Sequence, residues 1–447
     1  MKRREFLLGT AAGAVTTLVA RAPLFAQHLT RPGAMLFDFQ RSSGPVVIDE
    51  VELIQVEGHH MVDTGIEQQY QVKGEYIYDD IRPPEYIEHP GQMQNVPVHT
   101  SYLRLRTKQG LDGIYGPIDG DAPVVLRRDF RHFLLGHDAL AQETLWDEMY
   151  RQAPFGRNGA QCMAISSIDN ALWDLRAKYY GVPVYQLLGG PGRQTVEAYA
   201  SNLQYSIQPD ALRKQALLNK QNGYTMQKWF IPYGPGSGPD GMKKNIEMVR
   251  ILRETLGEDD EIMFDAFNGW TLSYALEWAQ RVQQFRPRWI EEIVTTDKLH
   301  AFVTFLQTTK IPVATGEHFF GRWEAEKFLE AGAISVLQCD PEWCGGISEL
   351  VKIGTLASIY EIPVVPHGHG VHAALHTILS QSPANFPFAE YLLAPPKMPT
   401  FYYFEKHPPA PVRAHFPLPT GTGFNIELDP AKIEKQTVIT GEVTAAG

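Results

Sequence analysis

Between residues 224 and 390 the chain repeats one pattern. A short apolar run is closed by a charged or ionisable residue, and an amphipathic stretch follows. The closing residues are Lys228, Asp265, Glu291, Glu317, Asp340, His367 and Glu390, spaced 23 to 37 residues apart. Such runs read as strands buried on both faces. Each interval holds one strand, one helix and two loops. Helical patterns fall at 210–222, 241–256, 273–284, 323–331 and 348–360, and a first strand falls at 196–200. The repeat predicts a (β/α) barrel, in which the C-terminal strand ends share one mouth and carry the chemistry.

Ahead of the barrel the pattern changes to alternation. Val46 to Val56 and Thr100 to Thr107 read as strands, with a turn at Lys108-Gln109-Gly110 and a return from Leu111 to Pro117. Helices follow at 139–150 and 160–179, the second with Ile165, Ile168, Leu172 and Leu175 on one face. Strands followed by helices describe an α+β domain over 46–190, preceding a barrel over 191–394. Residues 59–96 are polar and read as a long loop. Its His59, His60, Arg82 and His89 are candidate substrate contacts, although a solvated loop would carry them as well. The final segment, 395–447, opens with a stretch rich in proline and aromatics.

Residues 1–26 read as a twin-arginine signal. Arg3-Arg4-Glu5-Phe6-Leu7-Leu8 precedes an apolar run from Gly9 to Ala20, and Leu24-Phe25-Ala26 is the preferred cleavage site. An uncleaved anchor is the alternative. Export to the bacterial periplasm is expected, with the twin-arginine machinery as a partner. A net charge of −11 argues against nucleic-acid or stable membrane partners. Three cysteines make no disulfide framework and read as buried thiols.

Asp265, Glu291 and Glu317 end three consecutive predicted strands. Carboxylates brought together repel unless a cation sits among them, and hard oxygen ligands suit Mg²⁺. Strand alternation points Glu292 to the opposite face, leaving Glu291 as the ligand. Asp340 and His367 end the next two strands, and an Asp beside a His makes a general base. His367-Gly-His369-Gly-Val-His372 is alternatively a zinc cluster. Lys228 is either a second acid/base or a cation for a substrate carboxylate. Glu390, if protonated, would donate to a developing oxyanion.

These residues, with Tyr224-Thr-Met-Gln-Lys228, Trp289-Ile-Glu291-Glu292, Gly316-Glu317-His318, Gln338-Cys-Asp340 and Val365-Pro-His367-Gly, resemble the mandelate racemase branch of the enolase superfamily. The likeness is strongest to acid-sugar dehydratases of the L-rhamnonate type. It extends to Ala171-Leu-Trp-Asp174 and Glu342-Trp-Cys-Gly-Gly346. The resemblance implies a modified (β/α)₇β barrel capped by the α+β domain, with the C-terminal segment returning to the cap. It implies Mg²⁺ on Asp265, Glu291 and Glu317, and a His367 base oriented by Asp340. Glu390 would then stabilise an enediolate, and His318 would contact the substrate. The family's Lys-x-Lys motif is half present, because Phe230 stands where the second Lys would be. That disfavours a two-base racemase. The implied activity is dehydration of a sugar acid to a 2-keto-3-deoxy acid. An epimerase, racemase or cycloisomerase on the same scaffold, or a periplasmic sugar-acid binding protein without turnover, are the alternatives. Symmetric homo-oligomers are common among relatives of this fold.

Overall fold

The computed structural model describes residues 44–63, 68–84, 86–87, 93–153, 157–393 and 401–441. The signal segment 1–26 and His89 lie outside the described residues. Two antiparallel strands, β1 (Ile48–Asp63) and β2 (Met93–Thr107), form the spine of the cap, and β3 (Asp112–Tyr115) extends it. Both spine strands run further than the sequence pattern indicates. Residues 59–63 and 93–96, expected in a loop, pair as a ribbon with His60 opposite Val96 and Asp63 opposite Met93. This ribbon buries few side chains. Backbone pairing holds it, so it carries no hydrophobic alternation to read.

Helices α1 (Gln142–Gln152) and α2 (Ala160–Tyr180) pack on that sheet. Ile165, Ile168, Leu172 and Leu175 of α2 are fully buried there. Asp174 of the same helix accepts the Ile114 N–H and the Phe424 N–H, each at 2.8 Å. One buried carboxylate thus ties β3, α2 and the C-terminal segment together, through charge-assisted bonds stronger than neutral ones.

The second layer system is the barrel. Its order is β4 (Thr195–Asn202), α3 (Pro209–Gln221), β5 (Met226–Phe230), α4 (Gly238–Leu256), β6 (Glu261–Asp265) and α5 (Leu272–Val282). Then come β7 (Trp289–Glu291), α6 (Leu299–Thr308), β8 (Val313–Thr315), α7 (Arg322–Glu330), β9 (Val336–Leu337) and α8 (Ile347–Ile359). The seventh strand position is reduced to a parallel bridge between Leu337 and Val364. Helix α9 (Val371–Ser380) and β10 (Ala389–Leu393) complete the chain of units, and β10 pairs in parallel with β4. This is the (β/α)₇β arrangement. Helices α6 and α9 are absent from the sequence pattern, α9 for a physical reason. Nine of the ten residues of α9 are buried, so it has no polar stripe to mark it.

After β10 the chain returns to the cap. Strand β11 (His415–Pro417) runs antiparallel to β4, and β12 (Lys435–Ile439) pairs antiparallel with β1, Leu53 opposite Ile439. Inside the barrel, Tyr199, Met263, Trp289, Ala314, Val365 and Phe388 form a separate apolar plug. Trp289 and Phe388 stack within 5° of parallel. The polar residues of the mouth rest on this plug. All three cysteines are buried and unbridged. Among the described residues no helix is long and apolar enough to cross a membrane.

Candidate active site

The seven residues that close the apolar runs do not sit at one height. Asp265 and Glu291 are the last residues of β6 and β7. Lys228 and Glu390 lie inside β5 and β10, and are therefore deeper. Glu317, Asp340 and His367 fall just past their strands, in the mouth loops.

Lys228 is 1 % exposed and enclosed by acids. Its Nζ lies 2.8 and 2.9 Å from the two oxygens of Glu291 and 2.7 Å from Glu390 Oε1, with Asp265 Oδ2 at 3.9 Å. Burial would lower its pKa, but Glu291 and Glu390 outweigh burial and hold it well above the usual lysine range. Such an ammonium keeps its proton. Burial pushes Glu390 up, yet Lys228 and His367 carry it down to about 2. In this arrangement Glu390 is favoured in its ionised form by the lysine beneath it, where the sequence suggested a protonated donor. It accepts instead, from Gly368 N–H at 3.0 Å, and so fixes the loop that carries His367.

Four carboxylates crowd the mouth. Asp265 is pushed well above the carboxylate range by burial and by Glu291. Burial and then Glu292 lift Glu317 to about 8, against the pull of His367. Glu292 does not point away, as strand alternation predicts. Its φ of +46° breaks the alternation, and its Oε1 meets His318 Nδ1 at 2.7 Å. Its Oε2 is buried with no hydrogen-bond partner among the described residues. Glu292, Glu317 and His318 offer ligand atoms within 4.8 Å of one another, a group that shares only Glu317 with the expected triple. In this arrangement Lys228 and Gln338, the latter at 2.7 Å, occupy the oxygens of Glu291. Buried, mutually repelling oxygens with an orphan among them fit a hard divalent cation.

His367 completes the site. Its Nδ1 lies 2.9 Å from Asp340 Oδ2 and its Nε2 3.7 Å from Glu317 Oε2. Burial would lower its pKa, but Glu317 and Asp340 raise it well above the imidazole range. Trp343 stacks beside His318 at 5.5 Å, His367 at 5.1 Å and His369 at 5.5 Å. The histidines do not share a metal. His369 Nδ1 is held by Glu342 at 2.5 Å and His372 Nε2 by Glu405 at 2.8 Å. The glycines between them are required by close approach. A Cβ on Gly368 would come 2.7 Å from Glu390 Cγ, and one on Gly370 would come 2.7 Å from Asp340 Oδ1.

The cap residues expected to touch substrate are engaged elsewhere. His59 pairs with Glu434 at 2.9 Å and His60 packs on Tyr403. Arg82 donates to Tyr76 O at 2.9 Å and pairs with Asp79 at 2.7 Å. The same segment instead sends in Gln71, which donates to Asp265 Oδ2 at 3.5 Å, while Val72 N–H binds Ile231 O at 2.9 Å. Gln71, Gln338, Glu342 and Trp343 are thus site residues that sequence reasoning did not assign, and His369 entered it only through the alternative zinc cluster. The two-residue offset that puts Glu342 and His369 beside Asp340 and His367 was the available signal.

Barrel, cap and site together define a class. Residues 211–432 match the description Enolase C-terminal domain-like, and residues 81–189 match Mandelate racemase / muconate lactonizing enzyme, N-terminal domain. The chain belongs to the enolase superfamily, in its mandelate racemase/muconate lactonizing enzyme branch. Within that branch it is similar to an L-rhamnonate dehydratase of Saccharopolyspora erythraea, 29 % identical over 393 residues, 85 % of this chain and 97 % of that protein. Among solved structures it resembles the rhamnonate dehydratase from Gibberella zeae complexed with Mg, with a TM-score of 0.73 and 25 % identity over 87 % of this chain and 95 % of that one. A 3,6-anhydro-D-galactonate cycloisomerase from Zobellia galactanivorans shares the fold, with a TM-score of 0.68 and 24 % identity over 87 % of this chain and 100 % of that one.

Proposed function

We propose that this protein removes water from an aldonate-type sugar acid, with Mg²⁺, to give a 2-keto-3-deoxy acid. The observation that carries the reading is the His367–Asp340 pair at 2.9 Å, set beside buried carboxylates that repel one another. The similarity to L-rhamnonate dehydratases supports the substrate class. Asp265 and Glu317 would hold Mg²⁺ together with Glu291, once Lys228 and Gln338 give up its oxygens, or with the unpartnered oxygen of Glu292; the ion would acidify the proton beside the substrate carboxylate and offset the Glu317 charge that holds a proton on His367. Asp340 fixes the imidazole with Nδ1 engaged, which leaves Nε2 to take the C2 proton. Ionised Glu390 anchors the Gly368 N–H and so positions His367. Glu292 holds His318 by Nδ1, which leaves its other nitrogen for a substrate hydroxyl. Lys228, locked between Glu291 and Glu390, is a positioning residue in this account.

The test is a screen of hexonates, pentonates and uronates, L-rhamnonate first, for 2-keto acid formation with Mg²⁺ and with EDTA. Metal-dependent 2-keto acid from one of them is expected. Exchange of the C2 proton without 2-keto acid would point to an epimerase, and neither signal with any acid would leave a binding protein. We also propose export by the twin-arginine route, on the strength of Arg3-Arg4 and the apolar run after them. Periplasmic protein from the native host should begin near Gln27, and an intact Met1 would count against cleavage.

A further inference from the structure

We propose that His369, held by Glu342, is the general acid that protonates the departing hydroxyl, while His367 is the base. The proposal rests on the dehydratase reading above. Its ground is a second imidazole–carboxylate pair built on the frame of the first. Asp340 and Glu342 share the loop after β9, and His367 and His369 share the loop after Val364. In each pair the imidazole Nδ1 faces the carboxylate, at 2.9 Å for His367 and 2.5 Å for His369. The two rings are within 3° of parallel, with centroids 6.4 Å apart. Trp343, which lies between Glu342 and Cys344 in sequence, packs against both.

The second pair is anchored as a functional group would be. Glu342 Oε1 accepts the Tyr115 hydroxyl from the cap at 3.0 Å. The His369 carbonyl accepts the Tyr402 hydroxyl at 2.6 Å, and Phe401 packs edge-on against the ring at 4.8 Å. With Nδ1 engaged, Nε2 is the nitrogen left for a ligand. The side chain is 13 % exposed, close to the 12 % of His367, so both rings are enclosed without being sealed. Trp343 Nε1 is buried with no partner among the described residues, a spare donor on the same wall. Burial would lower the pKa of His369, but Glu342 outweighs it and lifts it to about 9. At neutral pH the ring therefore carries the proton that an acid must give.

The reaction balances with these two groups. His367 Nε2 takes the C2 proton, and the electron pair left behind is held on the substrate carboxylate as an enediolate; it then returns to form the C2=C3 bond as the C3–O bond breaks. The hydroxyl leaves as water with the proton from His369 Nε2. The resulting enol tautomerises to the 2-keto acid, and solvent returns the proton from His367 to His369.

The experiment separates the two half-reactions in the Mg²⁺-loaded full chain. Its probes are the sugar acid turned over in the screen and the 3-deoxy-3-fluoro analogue of that acid. Fluoride leaves without needing a proton. His369→Asn should dehydrate the sugar acid about 10²- to 10⁴-fold more slowly. It should still exchange the C2 proton in D₂O within a few-fold of wild type, and still release fluoride from the analogue. That retained exchange also shows that the variant folds. If His369→Asn does not fold, Glu342→Gln keeps the shape and the Tyr115 contact, and should show the same split to a smaller degree. Unchanged dehydration, or equal loss of exchange, dehydration and fluoride release in the folded variant, overturns the assignment. A wild-type protein that neither exchanges nor dehydrates any acid contradicts the dehydratase reading itself, which is a different result.

Discussion

At the scale of single residues, charge balance in the buried site decides most of the behaviour. Lys228 is the built-in cation for Glu291 and Glu390. Removing one partner of a buried charge pair typically costs about 3–5 kcal/mol, because the other charge is left bare. Lys228→Met should therefore lower the melting temperature by many degrees, and Mg²⁺ should restore part of the loss by replacing the missing positive charge. Thermal unfolding with and without Mg²⁺ checks this, and a melting temperature equal to wild type contradicts it. His376 makes a separate prediction about pH. It is 2 % exposed, and its Nδ1 accepts the Tyr185 N–H at 3.1 Å. Burial, and then His372, lower its pKa from 6.5 to about 3. Its folded value lies below its unfolded value, so its contribution is fully present above pH 6.5 and is lost as pH falls towards 3. The size is roughly 5 kcal/mol. His376→Gln, which can still accept that N–H, should flatten the fall of the melting temperature between pH 6.5 and 4. An unchanged pH profile would show that the ring does not carry this acid sensitivity.

At the scale of elements, the mouth loops are the sensitive parts. Gly370 sits against both acid partners, with room for no further carbon. Gly370→Ala would place a Cβ 2.7 Å from Asp340 Oδ1 and 2.9 Å from Glu342 Cγ. Its φ of −84° suits alanine, so the cost is local crowding, roughly 1–3 kcal/mol. Turnover should fall at least tenfold while most of the melting temperature is kept. Wild-type turnover in Gly370→Ala would mean that the loop moves freely and the pairs are not held as described. Elements also explain what the sequence could reveal. The barrel strands were legible because burial on both faces makes an unbroken apolar run with a polar residue after it. The β1–β2 ribbon past His59 was not, because backbone pairing alone builds it. The direction of Glu292 was misread because a single left-handed residue reverses strand alternation. His59, His60 and Arg82 drew attention through residue type, whereas Gln71, which reaches Asp265, is an ordinary glutamine until the cap is folded over the mouth.

At the scale of the whole molecule, the last strand closes the cap on the first, and the cap supplies Gln71 and Tyr115 to the barrel mouth. Folding therefore assembles the repelling carboxylates, and a cation that binds them favours the folded state. EDTA should lower the melting temperature and excess Mg²⁺ should raise it, by about 3 kcal/mol of stability at a hundredfold excess over the dissociation constant. A melting temperature indifferent to both would remove the metal from the account. The central claim is that His367, oriented by Asp340, takes the proton next to the substrate carboxylate. The most direct measurement follows that proton by NMR in D₂O, with Mg²⁺ and the sugar acid that the wild type turns over, for wild type, His367→Asn and Asp340→Asn. Wild type should exchange or eliminate it. His367→Asn should do neither while still binding Mg²⁺, and Asp340→Asn should be slowed by a smaller but still large factor. Exchange by His367→Asn at the wild-type rate would contradict the account.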